Sequence, residues 1–147
     1  MPSICFCFRV HQPYRLKQYE FKDIDVLHCY DDAEANAKAI NKIADECYLP
    51  ANEIILKQIE KTGGKFKVAF SMSGVVLELL QQYRADVIAS FKQLVDTGCV
   101  EILAETYNNS LSWLHSKKEF EQQQYANRLG WQNQIPLHEH QTLDALF

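Results

Sequence analysis

Three short stretches of this chain end an apolar run on side chains that can bind a polar ligand or move a proton. His11-Gln12-Pro13-Tyr14 follows ICFCFRV, Ser71-Met72-Ser73-Gly74 follows KFKVAF, and Glu105-Thr106-Tyr107-Asn108-Asn109 follows CVEILA. Imidazole, amide and phenol groups together are the set that hydrogen-bonds sugar hydroxyls and stacks on sugar rings. Pro13 pushes the residue before it into an extended backbone, so His11 and Gln12 are expected to be held rigidly. Glu105 is the one carboxylate predicted at a strand exit. It can bind hydroxyls, orient a neighbour or titrate; the alternative is a structural acid bonded to backbone N–H groups. A lone histidine at a strand end is likewise more often structural than catalytic, so the case rests on the three exits occurring together.

Other polar residues point to less. Asp31 and Asp32 are expected to cap the helix that follows them, and Glu78 to sit on a solvated helix face. His138-Glu139-His140 has metal-ligand spacing but lacks the three or four convergent partners a metal needs. No G-x-G-x-x-G, G-x-x-x-x-G-K-[ST] or G-x-S-x-G occurs, so phosphate-loop nucleotide binding and a serine-hydrolase elbow are unsupported. The five cysteines, Cys5, Cys7, Cys29, Cys47 and Cys99, contain no C-x-x-C pair and read as reduced, partly buried thiols of a cytoplasmic protein.

The elements that must position these groups follow from periodicity and turn chemistry. Ser3 to Val10, Lys65 to Ser71 and Cys99 to Glu105 are short, β-favouring runs. The last two are entered through Thr62-Gly63-Gly64 and Thr97-Gly98, where glycine can end a helix in the left-handed conformation. Between them lie helical periods: Ile40, Ile43, Ala44 and Cys47; Ile54, Ile55 and Ile59; Val76, Leu79, Leu80 and Tyr83; Val87, Phe91, Leu94 and Val95. Pro50 predicts a break or kink near Leu49. Ser116 and Glu119 have capping-box spacing, which starts a further helix at Lys117 with Phe120 as an early buried residue. Strands separated by helices favour a parallel α/β sheet with right-handed crossovers. In such sheets ligands bind beyond the C-terminal strand ends, where the three polar stretches fall.

Composition bounds the rest. Of the 147 residues, 47% are apolar and 23% charged, which argues against disorder. Fifteen Lys+Arg against nineteen Asp+Glu give a net charge of −4, so a dedicated nucleic-acid binder is not expected. No apolar run reaches the ~18–20 residues that span a bilayer, and no secretory signal is visible at Met1-Pro2-Ser3.

Taken as a set, ICFCFRVHQPYRLKQY, YDDAEANAKAINKIADECYLPANEIILKQIE, KFKVAFSMSGVVLELL and DTGCVEILAETYNNSL resemble glycoside hydrolase family 57, over roughly residues 3 to 120. The resemblance implies the N-terminal part of an incomplete (β/α)7 barrel acting on α-glucans, without a cofactor. It implies that His11 contacts sugar, that Gln12 and Pro13 complete its motif, and that Glu105 to Ser110, with Tyr107 and Asn109, line the cleft. Relatives often carry His or Glu near the position of Asn109. The family's nucleophilic glutamate and acid aspartate lie on later strands, whereas beyond about Glu121 the sequence stops looking like the family.

The expectation is therefore residues 1–120 as family βα units and 121–147 as a divergent or truncated tail, with no catalytic residue assigned. The family-level function is retaining α-glucan hydrolysis or transfer, with this chain inactive or nearly so and an α-glucan or maltooligosaccharide as ligand. The alternatives are a non-catalytic carbohydrate- or partner-binding remnant, able to self-associate through exposed sheet edges, and, ranked lower, a metal-dependent deacetylase- or mannosidase-like barrel.

Overall fold

A computed structural model of the chain describes residues 4–24, 29–103 and 105–134. Three strands, β1 (Cys7–Val10), β2 (Val68–Met72) and β3 (Val100–Leu103), form an open parallel sheet in the order β1-β2-β3. The parallel βα arrangement expected from the alternation of strand and helix runs is the one found. β1 is shorter than the run from Ser3 suggests. It pairs with β2 from Cys7 opposite Ala69 to Val10 opposite Met72, and before Cys7 the Phe6 carbonyl adds one bond, accepting the Ala69 N–H at 3.0 Å. Cys5 therefore lies outside the strand that holds Cys7. Cys5, Cys7, Cys29 and Cys47 are exposed rather than partly buried, and only Cys99 is half-buried.

Helices α1 (Ala33–Ile43) and α2 (Leu49–Lys61) join through a π-helical turn, Ala44–Tyr48. Pro50 thus does not break the helix. It sits in the first turn of α2, where a missing N–H is tolerated, and the wide turn, in which the Leu49 N–H reaches Ala44 O, carries the chain past it. Ile55 and Ile59 are buried, but Ile54 is 60% exposed because one helical step turns it out of that face. Asp32 caps α1, accepting from the Ala35 N–H at 2.9 Å, whereas Asp31 does not cap; it forms an antiparallel bridge with Leu16.

Helices α3 (Gly74–Tyr83) and α4 (Ala85–Asp96) cover the sheet and bury Val76, Leu79, Leu80, Val87, Phe91, Leu94 and Val95. Phe91 meets Phe70 of β2 edge-on, with ring centroids 5.2 Å apart. The turns into β2 and β3 hold Gly63, Gly64 and Gly98 at φ of 59°, 78° and 69°, the left-handed backbone that glycine accepts without strain.

Helix α5 (Lys117–Gln134) starts where Ser116 accepts from the Glu119 N–H at 3.2 Å. The second half of the capping box is not made, since the Glu119 carboxylate accepts from Gln123 instead. Phe120 is half-buried; the fully buried residues of α5 are Asn127 and Trp131. Among the described residues no helix is long and apolar enough to cross a membrane, and no group of three metal-ligating side chains occurs. His138 and His140 lie outside the described residues.

Candidate functional site

β1 ends at buried Val10, and the next residue turns its imidazole toward the neighbouring strand. His11 Nδ1 lies 2.7 Å from the Oγ of Ser73, the N-cap of α3. Gln12 faces another way: its Oε1 accepts from Arg15 at 3.0 Å, and it hydrogen-bonds Tyr48. Arg15 also donates to Pro13 O at 2.7 Å. Buried Asn36 on α1 holds the Arg15 backbone at both its N–H, 2.7 Å, and its carbonyl, 3.3 Å. The segment that presents His11 is therefore anchored to the helices rather than left as a free loop.

Glu105 is bound from two strands. Ser71 of β2 donates to one carboxylate oxygen at 2.6 Å, and Arg9 of β1 donates to the other at 3.1 Å. The Glu105 side chain is 10% exposed and that of Arg9 62%, so the carboxylate is set into the fold and its cation lies at the surface. Burial pushes the His11 imidazole below its usual range; the Glu105 charge works against that shift and the Arg9 charge adds to it. His11 is accordingly neutral at pH 7, a hydrogen-bonding group rather than a cation.

A second carboxylate joins the site from a position expected to be solvated. Glu78 on α3 is exposed, yet its Oε2 accepts from the Tyr14 hydroxyl at 2.7 Å and it also hydrogen-bonds Tyr107. Burial, followed by the Glu78 contact, pushes both phenols well above the ordinary tyrosine range, so both remain protonated donors. The Tyr107 ring lies across Gly74 so closely that an added Cβ there would sit 2.1 Å from a ring carbon. Close approach of ring to backbone is the reason for glycine at this position.

The β3 exit is shaped by its own turn. Buried Thr106 accepts the Ser110 N–H at 2.8 Å and its carbonyl accepts the Asn109 N–H at 3.0 Å, which leaves Asn109 at φ 55°. Asparagine is among the few side chains that take this conformation readily. Beyond it opens a groove of about 500 Å³, lined by Glu105, Asn109, Trp113, Phe120 and Gln124 among others.

Of the predicted residues, His11, Glu105, Tyr107 and Asn109 thus lie at one end of the sheet, and Gln12 belongs to the adjoining Arg15–Tyr48 cluster. Two participants escaped sequence reasoning. Glu78 is met by tyrosines far away in sequence, so no local signal marks it. Asn127 on α5 is 2% exposed and donates to Met72 O at 3.0 Å and to Glu105 O at 2.9 Å, tying the exits of β2 and β3 together. Its spacing of four from buried Trp131 is the trace of a buried helix face in an otherwise polar run.

Comparison with known proteins bears on the family and the fold. Residues 5–128 match the family model described as glycosyl hydrolase family 57. A protein of Methanocaldococcus jannaschii described as "Putative alpha-amylase" is 40% identical over 117 residues, which cover 79% of this chain and 25% of that protein. The crystal structure of a 4-alpha-glucanotransferase from Thermococcus litoralis superposes with a TM-score of 0.57 at 21% identity, over 86% of this chain and 17% of the other. The chain thus spans about a quarter of the length of the curated relative it matches. With the family model covering most of its length and the βα layout shared with a solved structure, the chain belongs to glycosyl hydrolase family 57.

Proposed function

We propose that these residues form the sugar-binding floor of an α-glucan cleft, used in retaining hydrolysis or transfer. The observation that carries this reading is the convergence of three strand exits on one polar surface. There His11 meets Ser73, Glu105 meets Ser71 and Arg9, and a groove with Trp113 at its wall opens alongside. Neutral imidazole, phenol and amide groups suit an uncharged polyol, and an indole face suits the apolar side of a sugar ring. The names of the two relatives, an amylase and a glucanotransferase, point to the same substrate class.

In this reading His11, Tyr107 and Asn109 bind hydroxyls, Gln12 holds the approach to His11, and Glu105 orients rather than attacks. A retaining enzyme needs two carboxylates ~5–5.5 Å apart, one free to attack the anomeric carbon and one able to give up a proton. Glu105 accepts from Ser71 and Arg9, and Glu78 accepts from Tyr14 and Tyr107, so both are engaged as hydrogen-bond acceptors. Neither is assigned the nucleophile or the acid, and the 147-residue chain alone is expected to bind glucan without cleaving it.

Titrating maltotriose while following tryptophan fluorescence tests the binding half; a saturable change at millimolar sugar is expected, absent in Trp113→Phe. Reducing-sugar release from soluble starch tests the other half. Turnover by the chain would refute the assignment of Glu105 and Glu78, and an unresponsive Trp113 would remove the cleft. A second reading, association of two copies, is favoured by edge strand β1, beside and on which Phe6 and Phe8 are 46% and 41% exposed. A concentration-independent monomer in sedimentation would end it.

A further inference from the structure

Ser73 is fully buried, and its hydroxyl has two hydrogen-bond neighbours among the described residues. Its Oγ accepts from the Val76 N–H at 3.4 Å, the cap of α3, and lies 2.7 Å from His11 Nδ1. A hydroxyl has one proton to give and two lone pairs to accept with. Were the His11 proton on Nδ1, that N–H would take the second lone pair. The Ser73 proton would then be enclosed in protein with nothing to accept it, an arrangement that native interiors avoid. With the proton on Nε2, Ser73 donates to Nδ1 and accepts from Val76, and every group is satisfied.

We propose that Ser73 is a positioning residue that locks neutral His11 in the Nε2–H tautomer, so that the ring offers a donor at its second nitrogen. Nε2 has no partner among the described residues. Glu105 and Arg9, the charged groups whose fields reach the ring, are paired with each other and bond neither nitrogen. The ligand consequence rests on the glucan reading above: His11 gives a hydrogen bond to a sugar oxygen and does not take a hydroxyl proton at Nε2.

The test is the long-range proton–nitrogen correlation spectrum of the ¹⁵N-labelled full chain at about pH 8, above the ordinary histidine range. His11 is assigned by the signals missing in His11→Gln. A pyridine-type Nδ1 and a pyrrole-type Nε2 are expected. In Ser73→Ala the two nitrogens should move toward the averaged shifts of a tautomer mixture, and Ser73→Thr, which keeps the hydroxyl, should restore them. A pyrrole-type Nδ1 in the unsubstituted chain, or an unchanged His11 spectrum in Ser73→Ala, overturns the proposal. The unsubstituted chain is decisive alone, so a failure of Ser73→Ala to fold does not shelter the idea. Maltotriose should then move the Nε2–H signal with Nδ1 still pyridine-type. A signal that stays put beside the expected tautomer counts against the glucan reading and leaves Ser73 its role.

Discussion

The two ends of the sheet use side chains differently. At the N-terminal end, bonds run from a turn to its own backbone. Thr62 accepts the Phe66 N–H and Thr97 accepts the Cys99 N–H; the exception is the Cys99 thiol, which reaches Gly64 O in the other turn at 3.4 Å. At the C-terminal end the bonds run side chain to side chain between residues 34 to 96 positions apart: Ser71 to Glu105, His11 to Ser73, Tyr14 to Glu78, Arg9 to Glu105. Local bonds form with the turn that contains them. Long-range polar bonds exist only after the sheet has assembled, and each buried member needs all its partners. The first end is built for chain reversal, the second for holding a fixed set of polar groups, the division seen in parallel α/β enzymes.

Substitution should separate the two ends. The largest effect is expected at Gly74, where a new Cβ meets the Tyr107 ring near its root. Gly74→Ala should cost about 3 kcal/mol in urea unfolding, the upper range for overpacking, and should also abolish the maltotriose response by displacing Tyr107 from Glu78. A wild-type sugar response in a destabilised Gly74→Ala would show that Tyr107 does not serve the cleft. Asn127→Ala comes next. It strips a donor from both Met72 O and Glu105 O. About 2 kcal/mol should be lost from unpaired buried carbonyls, and amide exchange should quicken in β2 and β3 together. Exchange that quickens in α5 alone would mean the two exits do not depend on it.

How much of this was readable in advance follows the same division. The turns at Gly63, Gly64 and Gly98, the α3 and α4 faces and the three strands are local consequences of glycine and of apolar period, and the sequence carries them openly. Pro50 marks the irregularity near Leu49 and the second helix after it, but not the form of the irregularity, because its missing N–H can be absorbed by a wide turn as well as by a break. The exit positions of His11, Glu105, Tyr107 and Asn109 were legible because strand ends are local; their partners were not. Glu78 lies 64 residues from Tyr14, and Asn127 lies 55 from Met72 in a run of glutamines and asparagines. No periodicity announces a pairing at such a distance.

A smaller effect belongs to the N-terminal end. Gly98 stands at φ 69° with open space where a Cβ would go. Gly98→Ala therefore meets only backbone strain, and should lower stability by about 1 kcal/mol while leaving the maltotriose titration as it was. A weakened sugar response in this variant would show that the two ends are mechanically linked.

The smallest and sharpest test reads communication within the exit end. Burial holds the folded His11 below its ordinary value of 6.5, against the pull of Glu105. Below the folded value the ring is charged in both states, and the folded chain bears the cost of enclosing the cation. Above 6.5 the ring is neutral in both states and the cost is gone. Stability should thus fall as pH is lowered from 6.5 through the folded value. Glu105→Gln removes the opposing charge and leaves Arg9 unpaired, and both changes disfavour the imidazolium. The His11 titration followed by its ring-proton NMR signal should move to still lower pH, and the destabilising window, which still opens at 6.5, should extend lower with it. A titration that stays where it was would mean that His11 and Glu105 share an end of the sheet without sharing a field, and the exit cluster would then be as local as the glycine turns opposite.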